Sequence, residues 1–150
     1  MNGLHKSLLS FSEIFRIIRA MRYMGIDYGS KRIGIAVSDD EGRMAFPSGI
    51  IANTGKLAIK KIVARVKKEG IGSIVVGIPV SLDGRETEQT RLTRVFIETF
   101  ESALTFSVET ENEMLTSRMA EHAGIKMGRV DESSAAIILQ SYLDKKNRSQ

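Results

Sequence analysis

The sequence of 150 residues has no cysteine and no tryptophan, and it has only two prolines and two histidines. The absence of cysteine excludes a disulfide framework, a thiolate-bound zinc site and a cysteine nucleophile. The two histidines, His5 and His122, are too few for a histidine-rich metal centre, so any metal would be held by carboxylates. With 42% hydrophobic and 27% charged residues, the composition is that of an ordinary globular protein. The length fits one domain.

The chain also lacks an uninterrupted apolar run of the roughly 20 residues that a membrane span needs. In residues 1–21, Glu13 and Arg16 break the apolar runs, and a clean signal-peptide centre with a cleavage site is missing. A strand pattern begins directly after Met21. We therefore interpret residues 1–21 as an N-terminal extension, either a start-site overhang or a loosely attached helix, and residues 22–150 as a single domain. We expect no catalytic residue in the extension and a cytoplasmic location.

Positive charge is in moderate excess and is unevenly placed. Residues 1–21 contribute +2 of the formal net charge of +4, so the rest of the chain has a weak positive bias. Six basic residues crowd one stretch of predicted helix: Lys56, Lys60, Lys61, Arg65, Lys67 and Lys68. A solvated helix face explains such a run more often than a phosphate-binding stripe does. Charge alone therefore permits nucleic acid as a partner without showing it.

The hydrophobic pattern predicts three strands followed by strands that alternate with helices. Strands are predicted at 24–29, 32–39, 44–53, 73–78 and 106–111, and helices at 54–69, 86–104, 116–123 and 131–145. Pro47 indicates that the third strand lies at an edge or contains a bulge. The apolar side of the second helix is expected to consist of Leu92, Val95, Phe96, Phe100 and Ala103. This order predicts an α/β fold with a mixed five-stranded sheet, three antiparallel opening strands and helices on both faces.

Three groups of acids stand out against this frame. Asp27 lies inside the first strand, on the face of Gly25 and Gly29, where the glycines leave room for a cation and a phosphate. The alternative is a structural salt bridge to Lys31 or Arg32.

The other acids lie late in the chain. Glu111 and Glu113 end the last strand, which is a common position for site residues in α/β sheets and equally for exposed surface acids. Asp131 begins the final helix, where aspartate is also a preferred N-cap.

Five ordered motifs in this frame resemble the YqgF family, over about residues 22–145. They are GIDYGSKRIGIAVSD (25–39), VVGIPVSLDG (75–84), the T-x-x-F stretch at Thr93 and Phe96, ENEMLTS (111–117) and DESSAAIILQSYL (131–143). Members are described as Holliday-junction resolvases or pre-16S rRNA nucleases with a ribonuclease H-like fold. The resemblance implies a metal-dependent nuclease that processes the 5′ end of pre-16S rRNA in ribosome biogenesis. A Holliday junction resolvase in DNA recombination and repair is the alternative.

Carried over residue by residue, the resemblance implies that the catalytic and metal-binding carboxylates are Asp27, Glu113 and Asp131. The family's Asp-Glu-Arg motif falls on Asn112, Glu113 and Met114, so only the glutamate is kept. Asn112 offers a neutral carbonyl oxygen, and Met114 cannot clamp a phosphate as an arginine does. Glu111, just upstream, is the residue that would restore a carboxylate.

A carboxylate cluster without histidine or cysteine suits phosphodiester cleavage, because carboxylates and waters are the natural ligands of Mg²⁺, with Mn²⁺ as the alternative. Two such ions about 3.5–4 Å apart activate a water and stabilise the leaving oxygen. In that scheme Asp27 bridges the ions, and Glu113 and Asp131 hold one each. The residues assigned to the substrate's phosphates are Lys31, Arg32, Arg85 and Arg91. The protein is expected to be a monomer or a homodimer, and junction cutting would require the dimer.

Two readings from other classes stay open. The first-strand motif also resembles the first phosphate loop of actin-like and sugar-kinase ATPases, although no second phosphate loop and no P-loop pattern is present. The substitutions at Asn112 and Met114 favour an RNA-binding protein that has lost activity. Tight ATP binding would favour the first reading, and RNA retained without cleavage in Mg²⁺ would favour the second.

Overall fold

The computed structural model describes residues 8–14, 21–81, 83–113 and 130–150, with residues 130–133 described by their backbone only. One sheet contains the strands β1 (Arg22–Tyr28), β2 (Arg32–Ser38), β3 (Ala45–Ala52), β4 (Ile71–Ile78) and β5 (Val108–Asn112). Their order is β3-β2-β1-β4-β5. The first three strands pair antiparallel, whereas β4 runs parallel to β1 and β5 parallel to β4. The predicted mixed five-stranded sheet is confirmed.

Helices cover both faces of this sheet, as predicted. They are α1 (Lys56–Lys68), α2 (Glu88–Ser102) and α3 (Val130–Arg148), and residues 11–14 form one short helical turn. Helices α1 and α2 pack on one face against buried residues such as Met24 and Ile26. Helix α3 packs on the other face, where Leu139 and Leu143 join Tyr23 and Val75. No helix among the described residues is long and apolar enough to cross a membrane. The helix predicted at 116–123 lies outside the described residues.

Strand β3 is an edge strand, which is what Pro47 indicated. Pro47 pairs opposite Ala36, and the register between β2 and β3 shifts between Gly34 and Ala36. Proline has no N–H to donate to a ladder, so an edge position next to an irregularity tolerates it.

Helix α2 is rotated relative to the expected apolar side. Its buried residues are Thr90, Thr93, Phe96, Ile97 and Phe100, whereas Val95 and Ala103 are exposed. The ring of Phe96 stacks on that of Tyr28 at 4.5 Å between centroids, which sets the rotation. The two buried threonines are satisfied locally, because Thr90 donates to the Pro79 carbonyl and Thr93 to the Gln89 carbonyl. The expectation for Val95 and Ala103 was wrong, since threonines with satisfied hydroxyls can replace apolar residues on a buried face.

Candidate active site

Asp27 and Glu113 come together on the face of the sheet that α3 covers. Side chains along β1 alternate between the two faces of the sheet. Met24 and Ile26 face α1 and α2, whereas Tyr23 faces α3. Asp27 follows Tyr23 by four residues, so it lies on the α3 face as well. Glu113 follows β5 directly, and its backbone N–H donates to the Ile78 carbonyl at 3.0 Å. The two carboxyl groups form a side-chain hydrogen bond with each other. The structure thus brings together two of the three predicted acids.

Gly77, on the neighbouring strand β4, creates the space that Glu113 occupies. A Cβ atom at Gly77 would lie 2.6 Å from Glu113 Oε1, 2.8 Å from its Cγ and 2.5 Å from Ile138 Cδ1. These separations are shorter than any van der Waals contact, so a larger residue would have to displace the glutamate or α3. The carboxyl pair therefore requires a glycine at this position of the VVGIP motif.

The carboxyl pair holds a proton near neutral pH. Burial, together with the charge and the hydrogen bond of Asp27, raises the pKa of Glu113 to about 8. Two half-buried carboxylates in contact repel each other when both are ionised, so the pair shares a proton. A bound cation would remove this repulsion.

The end of β1 is held by two side-chain amides that the sequence did not single out. Gln89 Nε2 donates to the Tyr28 carbonyl at 2.9 Å, and Asn53 Nδ2 donates to the Gly29 carbonyl at 2.8 Å. Both carbonyls follow Asp27 directly. The two amides reach this point from α2 and from the segment after β3, and no local sequence signal marks them. They fix the backbone on which Asp27 stands.

The tight turn between β1 and β2 carries two of the predicted phosphate-binding residues. The Gly29 N–H donates to the Arg32 carbonyl at 2.9 Å, which closes a two-residue turn over Ser30 and Lys31. Lys31 and Arg32 are both exposed. They lie at the same end of the sheet as Asp27, the last residue but one of β1.

Glu111 has a different partner from Glu113. Its side chain is 5% exposed and forms an ion pair with Lys145 Nζ of α3. The Ser141 hydroxyl lies 3.3 Å from the same oxygen. The Glu111 carboxylate therefore binds α3, and it does not supply a second carboxylate next to Glu113 in place of Asn112. Asn112 is exposed, and Met114 lies outside the described residues.

Asp131 belongs to the first turn of α3, where only the backbone is described. Lys146 lies over the ring of Tyr23, and a Cβ on Gly25 would meet the Ala135 carbonyl at 2.8 Å, so α3 runs antiparallel to β1. Residue 131, one turn before Ala135, therefore comes level with the end of β1. Among the described side chains, no three His, Cys, Asp or Glu residues form a group that could hold a metal ion. A third ligand from Asp131 remains a prediction.

The other two arginines predicted to bind phosphate, Arg85 and Arg91, are each paired with an acid. Arg85 Nε lies 3.1 Å from Asp83 Oδ2. Arg91 binds Glu88 through Nη2 at 2.6 Å and Nε at 3.0 Å. The hydrogen bond from Arg91 lowers the pKa of Glu88, which keeps this pair ionised at neutral pH. Both arginines are exposed, and their charge is largely balanced within the protein.

Known proteins are similar to this chain over most of its length. A family model described as "RuvX: Holliday junction resolvase" matches residues 21–145. A protein of Chloroflexus aurantiacus named "Putative pre-16S rRNA nuclease" is 38% identical over 130 residues, which cover 81% of this chain and 85% of that protein. A protein of Nitratidesulfovibrio vulgaris with the same name is 40% identical over 134 residues, which cover 83% of this chain and 94% of that protein.

The fold has a counterpart among solved structures. The structure titled "T. thermophilus RuvC in complex with Holliday junction substrate" aligns with a TM-score of 0.51 at 15% identity, covering 86% of this chain and 97% of that one. At this level of identity the similarity concerns the fold. It confirms the predicted ribonuclease H-like architecture.

Proposed function

The chain belongs to the RuvX family, also called YqgF, and from that membership we propose that it is a metal-dependent nuclease that processes the 5′ end of pre-16S rRNA. The observation that carries the proposal is the contact between the carboxyl groups of Asp27 and Glu113 at the end of β1, where α3 begins. The names of the relatives from Chloroflexus aurantiacus and Nitratidesulfovibrio vulgaris support the RNA substrate. A cytoplasmic location and a role in ribosome biogenesis are parts of the same proposal.

The donor set fits a hard divalent cation. Two carboxyl groups in contact, with no cysteine in the chain and no histidine among the residues that the structure describes, offer the oxygen ligands that Mg²⁺ and Mn²⁺ take. Asp27 and Glu113 would hold the metal, and Asp131 is our candidate for the third ligand. When bound, the metal would supply an activated water and stabilisation of the leaving oxygen.

The protein's own residues position the site and the substrate. Gly77 leaves the space in which the Glu113 carboxyl group reaches Asp27, and Gln89 and Asn53 hold the backbone beside Asp27. Exposed lysine and arginine side chains next to this end of the sheet neutralise the phosphates of the strand that is cut. The residues assigned to this role are Lys31, Arg32, Arg85 and Arg91. Since the acids Asp83 and Glu88 balance the last two, we expect Lys31 and Arg32 to contribute more.

Cleavage of a four-way DNA junction is the second candidate. The description of the matching family model as a Holliday junction resolvase favours it. Resolution needs two symmetric cuts, so this function would require a homodimer. Binding of RNA without cleavage is the third candidate, because Asn112 and Met114 replace a charged ligand and a phosphate clamp.

Cleavage by the purified chain tests these alternatives. The substrates are a 5′ segment of precursor rRNA, an unrelated single-stranded RNA and a four-way DNA junction, each with Mg²⁺, Mn²⁺ or EDTA. We expect metal-dependent cutting of the precursor RNA that is lost in Asp27→Asn and kept in Asp40→Asn, an equal charge change at an exposed position. Cutting of the junction alone would select resolvase. Cutting that survives Asp27→Asn, or binding without any cutting, would overturn the proposed site.

A further inference from the structure

Helix α1 presents a face of uncompensated positive charge. Its five lysines are all exposed, and α1 contains no acidic residue. None of the five forms an ion pair with any residue that the structure describes. By helical spacing they form two rows, Lys56, Lys60 and Lys67 in one row and Lys61 and Lys68 in the other. Arg65 is the exception in α1, because it is half-buried and binds Glu69 at 2.9 Å.

The basic residues around α2 are arranged in the opposite way. Arg94 Nη2 lies 2.7 Å from Glu86 Oε1, and Arg85 and Arg91 also have acidic partners. A solvated helix face in this protein is thus built with balanced charges. The α1 face departs from that pattern.

The two lysines near the start of α1, Lys56 and Lys60, also oppose the stability of their own helix. The helix begins at Gly55 without a side-chain cap and without an acid in its first turn. Lys56 lies instead at this positive end of the helix dipole, and Lys56 and Lys60 repel each other at i and i+4. Lys67 and Lys68 lie in the last turn, where their charge favours the helix dipole, but folding gains nothing from Lys56 and Lys60. A polyanion lying along the face would relieve both effects.

Helix α1 lies on the opposite face of the sheet from the carboxyl pair, and its first residues lie next to the turn that follows β1. Asn53 joins the two parts: its backbone N–H donates to the Lys31 carbonyl at 2.9 Å, and its Oδ1 accepts from the Gly55 N–H at 3.2 Å. Lys31 lies in the turn that follows Asp27, and Lys56 begins α1. From Lys56 to Lys67 the row extends about 16 Å along the helix.

We infer that Lys31, Lys56, Lys60 and Lys67 form a binding track for the sugar–phosphate backbone of the RNA strand that flanks the scissile bond. The inference rests on the proposed function, since it takes the RNA to enter at Asp27. Lysines are flexible point charges that contact phosphates without reading bases, so the track adds affinity and register rather than sequence specificity. Its contribution depends on substrate length, because a short RNA ends before it reaches α1.

The test compares two triple variants of the full chain in EDTA, where binding is measured without cleavage. The track variant carries Lys56→Gln, Lys60→Gln and Lys67→Gln, which keep helix propensity nearly unchanged. The control variant carries Arg43→Gln, Arg94→Gln and Arg148→Gln, which remove the same charge from exposed positions outside the track. Dissociation constants are measured against salt for single-stranded RNAs of about 6 and about 24 nucleotides. Circular dichroism verifies that each variant is folded.

We expect the track variant to bind the long RNA about tenfold or more weakly at about 0.1 M salt and to lose about 2 from the salt slope. Its preference for the long RNA over the short one should shrink, and the control should keep that preference. Equal losses in both variants would overturn the track, as would a loss confined to four-way DNA junctions or to anionic lipid vesicles. If the wild-type chain failed to cleave in Mg²⁺ while the track variant still lost RNA binding, the nuclease proposal would fail and the track would stand.

Discussion

Glu111 and Glu113 are the same residue type, two positions apart, with side chains on the same side of the sheet. Glu111 is buried and meets a cation, Lys145 of α3. Glu113 is half-buried and meets another carboxyl group, that of Asp27, and its pKa rises to about 8. The first arrangement satisfies its charge within the fold, whereas the second leaves a charge to be satisfied from outside. The partner across the sheet, rather than the strand or the residue type, therefore separates a structural acid from a candidate ligand.

Substituting each glutamate by glutamine tests this comparison most directly. Glutamine keeps the size of the side chain and removes the charge that would hold the metal. For Glu113→Gln we expect kcat/KM for RNA cleavage to fall at least about 100-fold, equivalent to about 2.7 kcal/mol or more. For Glu111→Gln, assayed where the variant is folded, we expect a change of less than about threefold. Similar losses in the two variants would contradict the division of roles.

Substituting Lys145, the cation paired with Glu111, should lower the stability of the protein more than substituting Glu111. Lys145→Ala leaves a buried carboxylate without its cation, so we expect a loss of about 2–4 kcal/mol in the free energy of unfolding. Glu111→Gln leaves Lys145, which is half-exposed and can be hydrated, and should cost about 1–2 kcal/mol. Denaturant titration measures the free energy of unfolding of both variants. The double variant should lose less unfolding free energy than the sum of the losses in the two single variants. Strictly additive losses would argue against the ion pair.

Gly77→Ala disturbs Glu113 without changing any charge. The added Cβ meets both Glu113 and Ile138 Cδ1, so we expect a destabilisation of about 1–3 kcal/mol and at least about a tenfold loss of cleavage. The second substitution Ile138→Val removes the Cδ1 atom and separates the two contacts. The double variant should regain stability and not cleavage. Recovery of both would mean that the clash with α3, rather than the displaced carboxylate, was responsible.

Per pH unit, the change of stability with pH is the smallest of these effects. Because the pKa of Glu113 is higher in the folded protein than in the unfolded chain, this residue's contribution is fully present below about pH 4.5. It is lost as the pH rises through about 8. In EDTA the unfolding free energy of the wild type, relative to Glu113→Gln, should fall by at most about 1.4 kcal/mol per pH unit across this window. Saturating Mg²⁺ should flatten the difference, and a flat difference already in EDTA would refute the shared proton.

Much of the fold could be predicted from local patterns. The β1 residues alternate between the two faces as predicted, and Pro47 occupies an edge strand. Most predicted element ends lie within about two residues of the observed ones, because strand and helix periodicities are local properties of the chain. The rotation of α2 was not predictable in this way. It depends on the stacking of Phe96 on Tyr28, which are far apart in the sequence.

Less of the site was predictable. The family resemblance selected Asp27 and Glu113, and their contact is observed. The alternative that Glu111 restores a carboxylate is not favoured, because its carboxyl group is bound by Lys145 of α3. Gln89 and Asn53 were missed, since amides bind carbonyls in many structural settings and have no signature in one sequence.

Local patterns in the chain predict the order of strands and helices, the face of β1 on which Asp27 stands and the concentration of lysines on α1, because each follows from residues that are close together in the chain. Only the tertiary structure decided which acid meets a lysine and which meets an acid, and which basic residues are balanced by partners. Those outcomes depend on residues about 30 to 90 positions apart being brought within hydrogen-bonding distance. Electrostatic roles are set by such distances, and the linear order of residues does not contain them.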